Sequence, residues 1–262
     1  MVDPPEKDRL PPLKVRDLRL DLEQISTDLE RKRFETDLIG QRGQSGGLSN
    51  LNFSMIPSLS KSRFTEYLVQ ENALDGHGFQ EWIFYPGMLF NAADKWWGDQ
   101  GKRDKPHEGL DFCLYRDRRG KMRRLDDKTK IPVIYDGTVV GIFNDFLGKS
   151  VIIEHGLTDH DNNRVCTIYG HINPHKSLHV GRTLKEGDII ATLADLRDSK
   201  VTTLSHLHIS LGRAHKFISY DKLDWETMGA PNTLNLMDPL HVLGWHYRVL
   251  ERISPIPDLL SS

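Results

Sequence analysis

A chain of 262 residues is long enough to bury a real core in one large domain, with room for extensions. Charged residues make up 27% and the net charge is −2, which excludes a global electrostatic pull toward nucleic acid or an acidic membrane surface. Two cysteines, Cys113 and Cys166, are too few for a disulfide scaffold, and both stand in apolar strand-like sequence, where cysteine behaves as a small hydrophobe.

Residues 1–13 are rich in proline and charge and read as a disordered tail. Their opening, MVDPPEKDRLPP, lacks the apolar h-region of a signal peptide. No apolar run approaches the roughly 18 residues of a membrane span, so no integral span is expected. Val15, Leu18, Leu22, Ile25 and Leu29 recur at three- and four-residue steps, one apolar stripe on a helix. The glycines of GQRGQSGGLSN, residues 40–50, then break it with a flexible connection. Residues 14–75 are therefore expected as a helical and linker region. The following aromatic cluster, Trp82, Phe84, Tyr85, Phe90, Trp96 and Trp97, reads mainly as core packing, with a groove lining as the sharper alternative.

From residue 107 to about 213 the pattern changes to short alternating strands: EGLDFCLY, IPVIYDGTVVGIF, KSVIIEHG, RVCTIYGHI, DIIATLAD and LHISLGR. Asp136-Gly137 and Glu186-Gly187 punctuate them as turns. The fold class is thus mainly β: a compact antiparallel, barrel-like core over residues 76–220, with an N-terminal helical extension. Residues 221–262 are expected as a C-terminal appendage. One stretch, residues 116–130, carries eight Lys/Arg against three Asp and reads as a solvated hairpin turning at Arg119-Gly120, or else as a basic flap for an anionic polymer.

Twelve histidines make any single one weak evidence, so facing must sort them. In SHLHISL, residues 205–211, a strand turns His206, His208 and Ser210 one way and Leu207, Ile209 and Leu211 the other. On a helix the two histidines would diverge. In HEGLDF, residues 107–112, the even gap puts His107 and Asp111 on one strand face, while Glu108 turns away. Gly109 argues against the rival reading, a variant of the HExxH zinc helix with Glu108 as base. Two histidines and one carboxylate make a zinc site with an open fourth position, as in catalytic zinc. The facing argument leaves open which of His206 and His208 is the ligand. His171, at the end of TIYGHI, is a further proton-handling group, and Tyr169 shares its face. His155 alternates to the face of Val151 and Ile153 and reads as structural. His160, His175, His179, His215, His241 and His246 have no convergent partner.

HEGLDF, IPVIYDGTVV, SVIIEHG, IYGH, VGRTLKEGDIIA and HLH occur in the order found in the LytM/lysostaphin-type zinc endopeptidases, the M23 peptidase family, which residues 100–213 resemble. The resemblance implies a β core with a groove across one sheet. It implies that His107, Asp111 and His208 bind Zn2+, and that His171 and His206 are catalytic histidines that do not ligate it. It implies a peptidoglycan peptide as substrate and the cell envelope, periplasmic or extracellular, as the place of action. The run ATLADLRDSKVTTLSHLH departs from the family, having no glycine after Gly187, and the basic insertion 116–130 is longer than usual. These departures motivate an alternative: a zinc-retaining but non-catalytic module that binds wall or activates a partner hydrolase. A third expectation is that the N-terminal 100 residues cover the groove as an inhibitory segment.

Overall fold

Alternating apolar sequence is converted into strands in a computed structural model, which describes residues 59–158, 162–196, 203–215, 217–228, 233–244 and 246–251. The apolar stripe at 15–29, the glycine-rich connection and the tail before them lie outside the described residues. Among the described residues helix α1, Phe64–Glu71, comes first. Asn72 then ties its end to the β core: Nδ2 donates to the carbonyls of Leu68 and Lys130, and Oδ1 accepts from the Lys130 amide at 2.7 Å.

The strands are β1 (Phe79–Phe84), β2 (Leu110–Phe112), β3 (Leu114–Asp117), β4 (Met122–Arg124), β5 (Lys130–Pro132), β6 (Gly137–Asn144), β7 (Lys149–Thr158), β8 (Arg164–Pro174), β9 (Thr183–Leu184), β10 (Ile189–Leu193), β11 (Leu207–Ala214), β12 (Leu234–Met237) and β13 (Tyr247–Val249). Among the described residues, nine of them form one large sheet. Its spine runs β12-β11-β8-β7-β6-β9, with β2 beside β11 and β10 bridging β8 and β5. A four-stranded sheet, β13-β1-β3-β4, accompanies it. The mainly antiparallel β class is as expected. The stretch 221–262 contributes β12 to the edge of the large sheet and β13 to the small one, where it runs parallel to β1.

The core is built from the apolar sides of these strands. Trp82, Phe84 and Phe112 meet edge to face, with Trp82 and Phe112 centroids 5.2 Å apart, and all three are buried. Arrangements of this kind contribute beyond simple burial, and each ring removes on the order of 150 Å² or more from water. The basic segment 116–130 forms the β3–β4 hairpin. Gly120, at φ +78°, supplies the left-handed turn residue, and the buried Asp117 carboxylate accepts from the Arg119 and Lys121 amides and from Arg123 Nε at 2.8 Å. Arg116 and Arg248 converge on the buried Glu81, at 3.3 and 3.1 Å, and so pin β3 and β13 to β1.

Register positions the site. β11 pairs with β2 so that His208 stands opposite Asp111, with Leu207 opposite Phe112 and Ile209 opposite Leu110 on the core side. On its other edge β11 sets His208 opposite Gly170 of β8. Between β7 and β8 the register slips: Lys149 pairs with Ile172 and Val151 with Tyr169, so Gly170 and His171 together face Ser150. This is a β-bulge, and His171 sits in it at φ +62°.

Candidate metal centre and cleft

The site draws on three adjacent strands and the loops that precede them. Asp111 is in β2 and His208 in β11, but His107 is not in a strand. β2 begins only at Leu110, so His107 arrives on a loop, held by its amide to the Ala92 carbonyl at 3.0 Å and its carbonyl to the Asn91 amide at 2.8 Å. The strand alternation expected for HEGLDF therefore stops short of its first residues. For the same reason Glu108 does not turn away: it lines the same cleft as His107. Burial raises its carboxyl above the usual range, against the pull of Lys105, His107 and Arg103.

His107 Nε2, Asp111 Oδ1 and His208 Nδ1 form a nearly closed triangle with sides of 3.2, 3.2 and 2.8 Å. All three side chains are buried. Zinc held at about 2.0–2.1 Å by tetrahedral ligands needs ligand atoms about 3.3 Å apart, so the spacing suits that ion. The outward atoms are occupied in the way a metal site requires. His107 Nδ1 can only donate to the Leu89 carbonyl, at 2.8 Å, which leaves the Nε2 lone pair facing the centre. His208 Nε2 lies 2.9 Å from Ser210 Oγ, and Asp111 Oδ2 accepts from Trp96 Nε1 at 2.7 Å. Burial alone would raise the Asp111 carboxyl, but the His107, His206 and His208 rings outweigh it and hold it well below the usual range. Burial pushes His208 down to about 3, against its hydrogen bond with Asp111.

Two more histidines flank the triangle. His206 Nδ1 donates to the Leu204 carbonyl at 2.7 Å, so Nε2 keeps its lone pair, 3.9 Å from Asp111 Oδ1. Burial lowers His206 to about 4, so the ring is neutral at neutral pH. His171 is brought to His206 by the bulge, with ring centroids 4.8 Å apart. Tyr169 does not follow it: the left-handed residue turns His171 alone to the cleft, while Tyr169 is fully buried and its hydroxyl accepts from the Ile134 amide at 2.8 Å. The five residues singled out from sequence thus meet in one cleft.

Several residues there carry no sequence signal. Asp145, in the turn between β6 and β7, accepts the His171 amide at 2.9 Å and Ser150 Oγ at 2.7 Å on one oxygen. Its other oxygen lies 3.3 Å from His171 Nδ1. Burial alone would raise this carboxyl, but the His171 ring and amide and Ser150 together carry it far below the ordinary range. Trp225 stacks along His171 at an interplanar angle of 27°, meets His208 edge-on at 4.8 Å, and donates from Nε1 to Ser150 Oγ. Phe146, 69% exposed, packs on His171 at the mouth. NDFLGK reads from sequence as an ordinary Asx turn, and the Asp145 amide bonds to Leu147 and Gly148 do form one. That its carboxylate also reaches a histidine 26 residues away is a property of the folded sheet. His155 is structural in placement: Nδ1 donates to the Asp136 carbonyl and Nε2 accepts from Thr167 Oγ1. Arg103 and Trp97 also line the cleft.

The model of Peptidase family M23 matches residues 116–219, beginning just after His107 and Asp111. No curated protein matches the chain. Among solved structures the chain is similar to the peptidase lysostaphin from Staphylococcus simulans, 18% identical over 51% of this chain and 42% of that one, with TM-score 0.32. It is also similar to Csd3 of Helicobacter pylori, 17% identical over 66% and 37%, TM-score 0.36. A zinc-containing peptidase from Vibrio cholerae is 22% identical over 51% and 37%, TM-score 0.33. The chain spans about two fifths of the length of each of these proteins.

Proposed function

We propose, from a chain whose residues 116–219 match the model of Peptidase family M23, a zinc-dependent endopeptidase that hydrolyses peptide bonds of bacterial cell-wall peptidoglycan and acts at the cell envelope. The observation that carries the reading is the triangle of His107 Nε2, Asp111 Oδ1 and His208 Nδ1, closed on three sides at metal-ligand spacing, with two more buried histidines beside it. In this reading those three atoms hold zinc, which supplies a Lewis acid and a bound water acidic near neutral pH.

The protein's own groups do the rest. His206 presents a neutral Nε2 to the cleft, its other nitrogen fixed by Leu204, and takes up a proton there as general base. His171 is held by Asp145, which accepts its backbone amide and keeps its other oxygen 3.3 Å from Nδ1, so the ring stands in place beside the oxyanion that forms on the attacked amide. Trp225 and Phe146 shield that ring and keep bulk water from its faces.

The test compares wild type with His206→Ala by elemental zinc content and by mass spectrometry of muropeptides released from purified wall. We expect equal zinc in both and a loss of at least about 10²-fold in release rate for the variant, the scale of a general base. Zinc at full occupancy with no amide cut by wild type sinks the peptidase reading and leaves the wall-binding, hydrolase-activating module.

A further inference from the structure

Among the described residues Arg103 is the one Lys or Arg lining the cleft, and the peptidase chemistry above gives it no role. Its side chain is only 14% exposed. Nε donates to the Asp94 carbonyl at 3.2 Å, Nη2 donates to the Gly87 carbonyl at 2.9 Å, and the guanidinium lies over the Trp97 ring at 4.4 Å. Three contacts from backbone and ring therefore fix the plane of the group. None of them neutralises it. Among the described residues its nearest carboxylate oxygen is Asp111 Oδ2 at 4.0 Å, which is already satisfied by Trp96. Nη1 makes no hydrogen bond to any described residue. The immobilised guanidinium shares the cleft with Asp111 and Glu108 but hydrogen-bonds to neither, so its Nη1 donors are left for a ligand.

We propose that Arg103 is a carboxylate-binding subsite, taking a free carboxylate carried by the residue next to the scissile amide. This rests on the cleft being a peptidase site. The guanidinium is 4.0 Å from a carboxylate of the metal triangle, and one extended residue spans about 3.5 Å, so an anion accepting from Arg103 lies one residue from the reacting bond. Planar bidentate recognition of a carboxylate is what the fixed fork is shaped for, and little side-chain freedom is lost on binding. The substrate class is then a peptide with an anionic group flanking the cut, rather than an uncharged glycine bridge.

The probes are acetyl-triglycine as free acid and as carboxamide, which differ by one charge and little volume. Binding of each to the zinc-supplemented full chain is measured by calorimetry up to 10 mM, for wild type, Arg103→Gln and Arg103→Lys. Wild type is expected to favour the acid by about tenfold or more, the scale of a charge-assisted hydrogen bond. Glutamine should erase the ratio, and lysine should keep part of it. The wild-type ratio needs no variant to fold, and thermal unfolding checks the two variants. A wild-type ratio near one, no measurable binding of the acid, or a ratio that survives Arg103→Gln because the carboxylate sits elsewhere, each overturns the subsite. If the ratio behaves as expected but no wall peptide is cut, carboxylate binding at Arg103 stands, and its place beside a scissile amide falls with the peptidase reading.

Discussion

Trp96 shows how a residue far from the ligands in role can set their quality. Its Nε1 holds Asp111 Oδ2 and leaves Oδ1 to the centre, while its ring packs edge-on against His206 at 5.1 Å. Trp96→Phe keeps an aromatic ring in that contact and removes the donor. Zinc affinity, measured by chelator competition, is expected to fall about 10- to 100-fold, the usual cost of losing a group that orients a ligand. An unchanged dissociation constant would reduce Trp96 to packing. The five histidine and aspartate residues were legible because few residue types bind metal or move protons, and their spacing survives any rearrangement of loops. Trp96 was legible only as one of an aromatic cluster, and Asp145 only as a turn residue. What each adds at the site depends on partners brought close by folding.

At the level of elements, alternation found the strands that bear the chemistry. The six windows read from sequence overlap β2 and β3, β5 and β6, β7, β8, β10, and β11. It could not find the bulge that turns His171, because strict alternation assumes an unbroken ladder and assigns Tyr169 and His171 one face. Nor did it find β1, β12 and β13, whose sequences show no clean period and whose pairing partners are remote. Close packing of β2 on β11 gives the sharpest element-scale prediction. A Cβ added at Gly109 would run into the Ile209 carbonyl oxygen and lie 2.6 Å from His208 Nε2. The backbone oxygen cannot swing aside, so Gly109→Ala must push the two strands apart. We expect a destabilisation of about 1–3 kcal/mol, as for overpacked cores, together with sub-stoichiometric zinc. A variant with wild-type melting temperature and full zinc would show that the strands have more room than this register allows.

Across the whole molecule, acid is expected to weaken the fold through a histidine remote from the cleft. His155 is buried between Tyr135 and Thr167, and burial lowers it to about 4 from its ordinary 6.5. Its folded pKa is depressed, so its neutral form favours the fold at pH above 6.5, and that contribution is lost as pH falls through about 4. The loss approaches about 3 kcal/mol at full protonation. Urea midpoints between pH 4 and 7 should therefore decline more steeply for wild type than for His155→Gln; parallel curves would show that another group dominates. A last consequence lies in the pairing of β13 with β1, where Tyr247 meets Trp82 across 165 positions of sequence, their numbers differing by that amount. In a chain that folds while it is made, at about 5–20 residues per second, β1 waits on the order of 10–30 seconds for that neighbour. All of the His107, Asp111 and His208 triangle has emerged by residue 208, but Trp225 and the strand that closes β1 have not. Until they do, the nascent chain carries a bare strand edge open to pairing with a neighbouring copy, so crowded ribosomes are where this fold is most exposed to error.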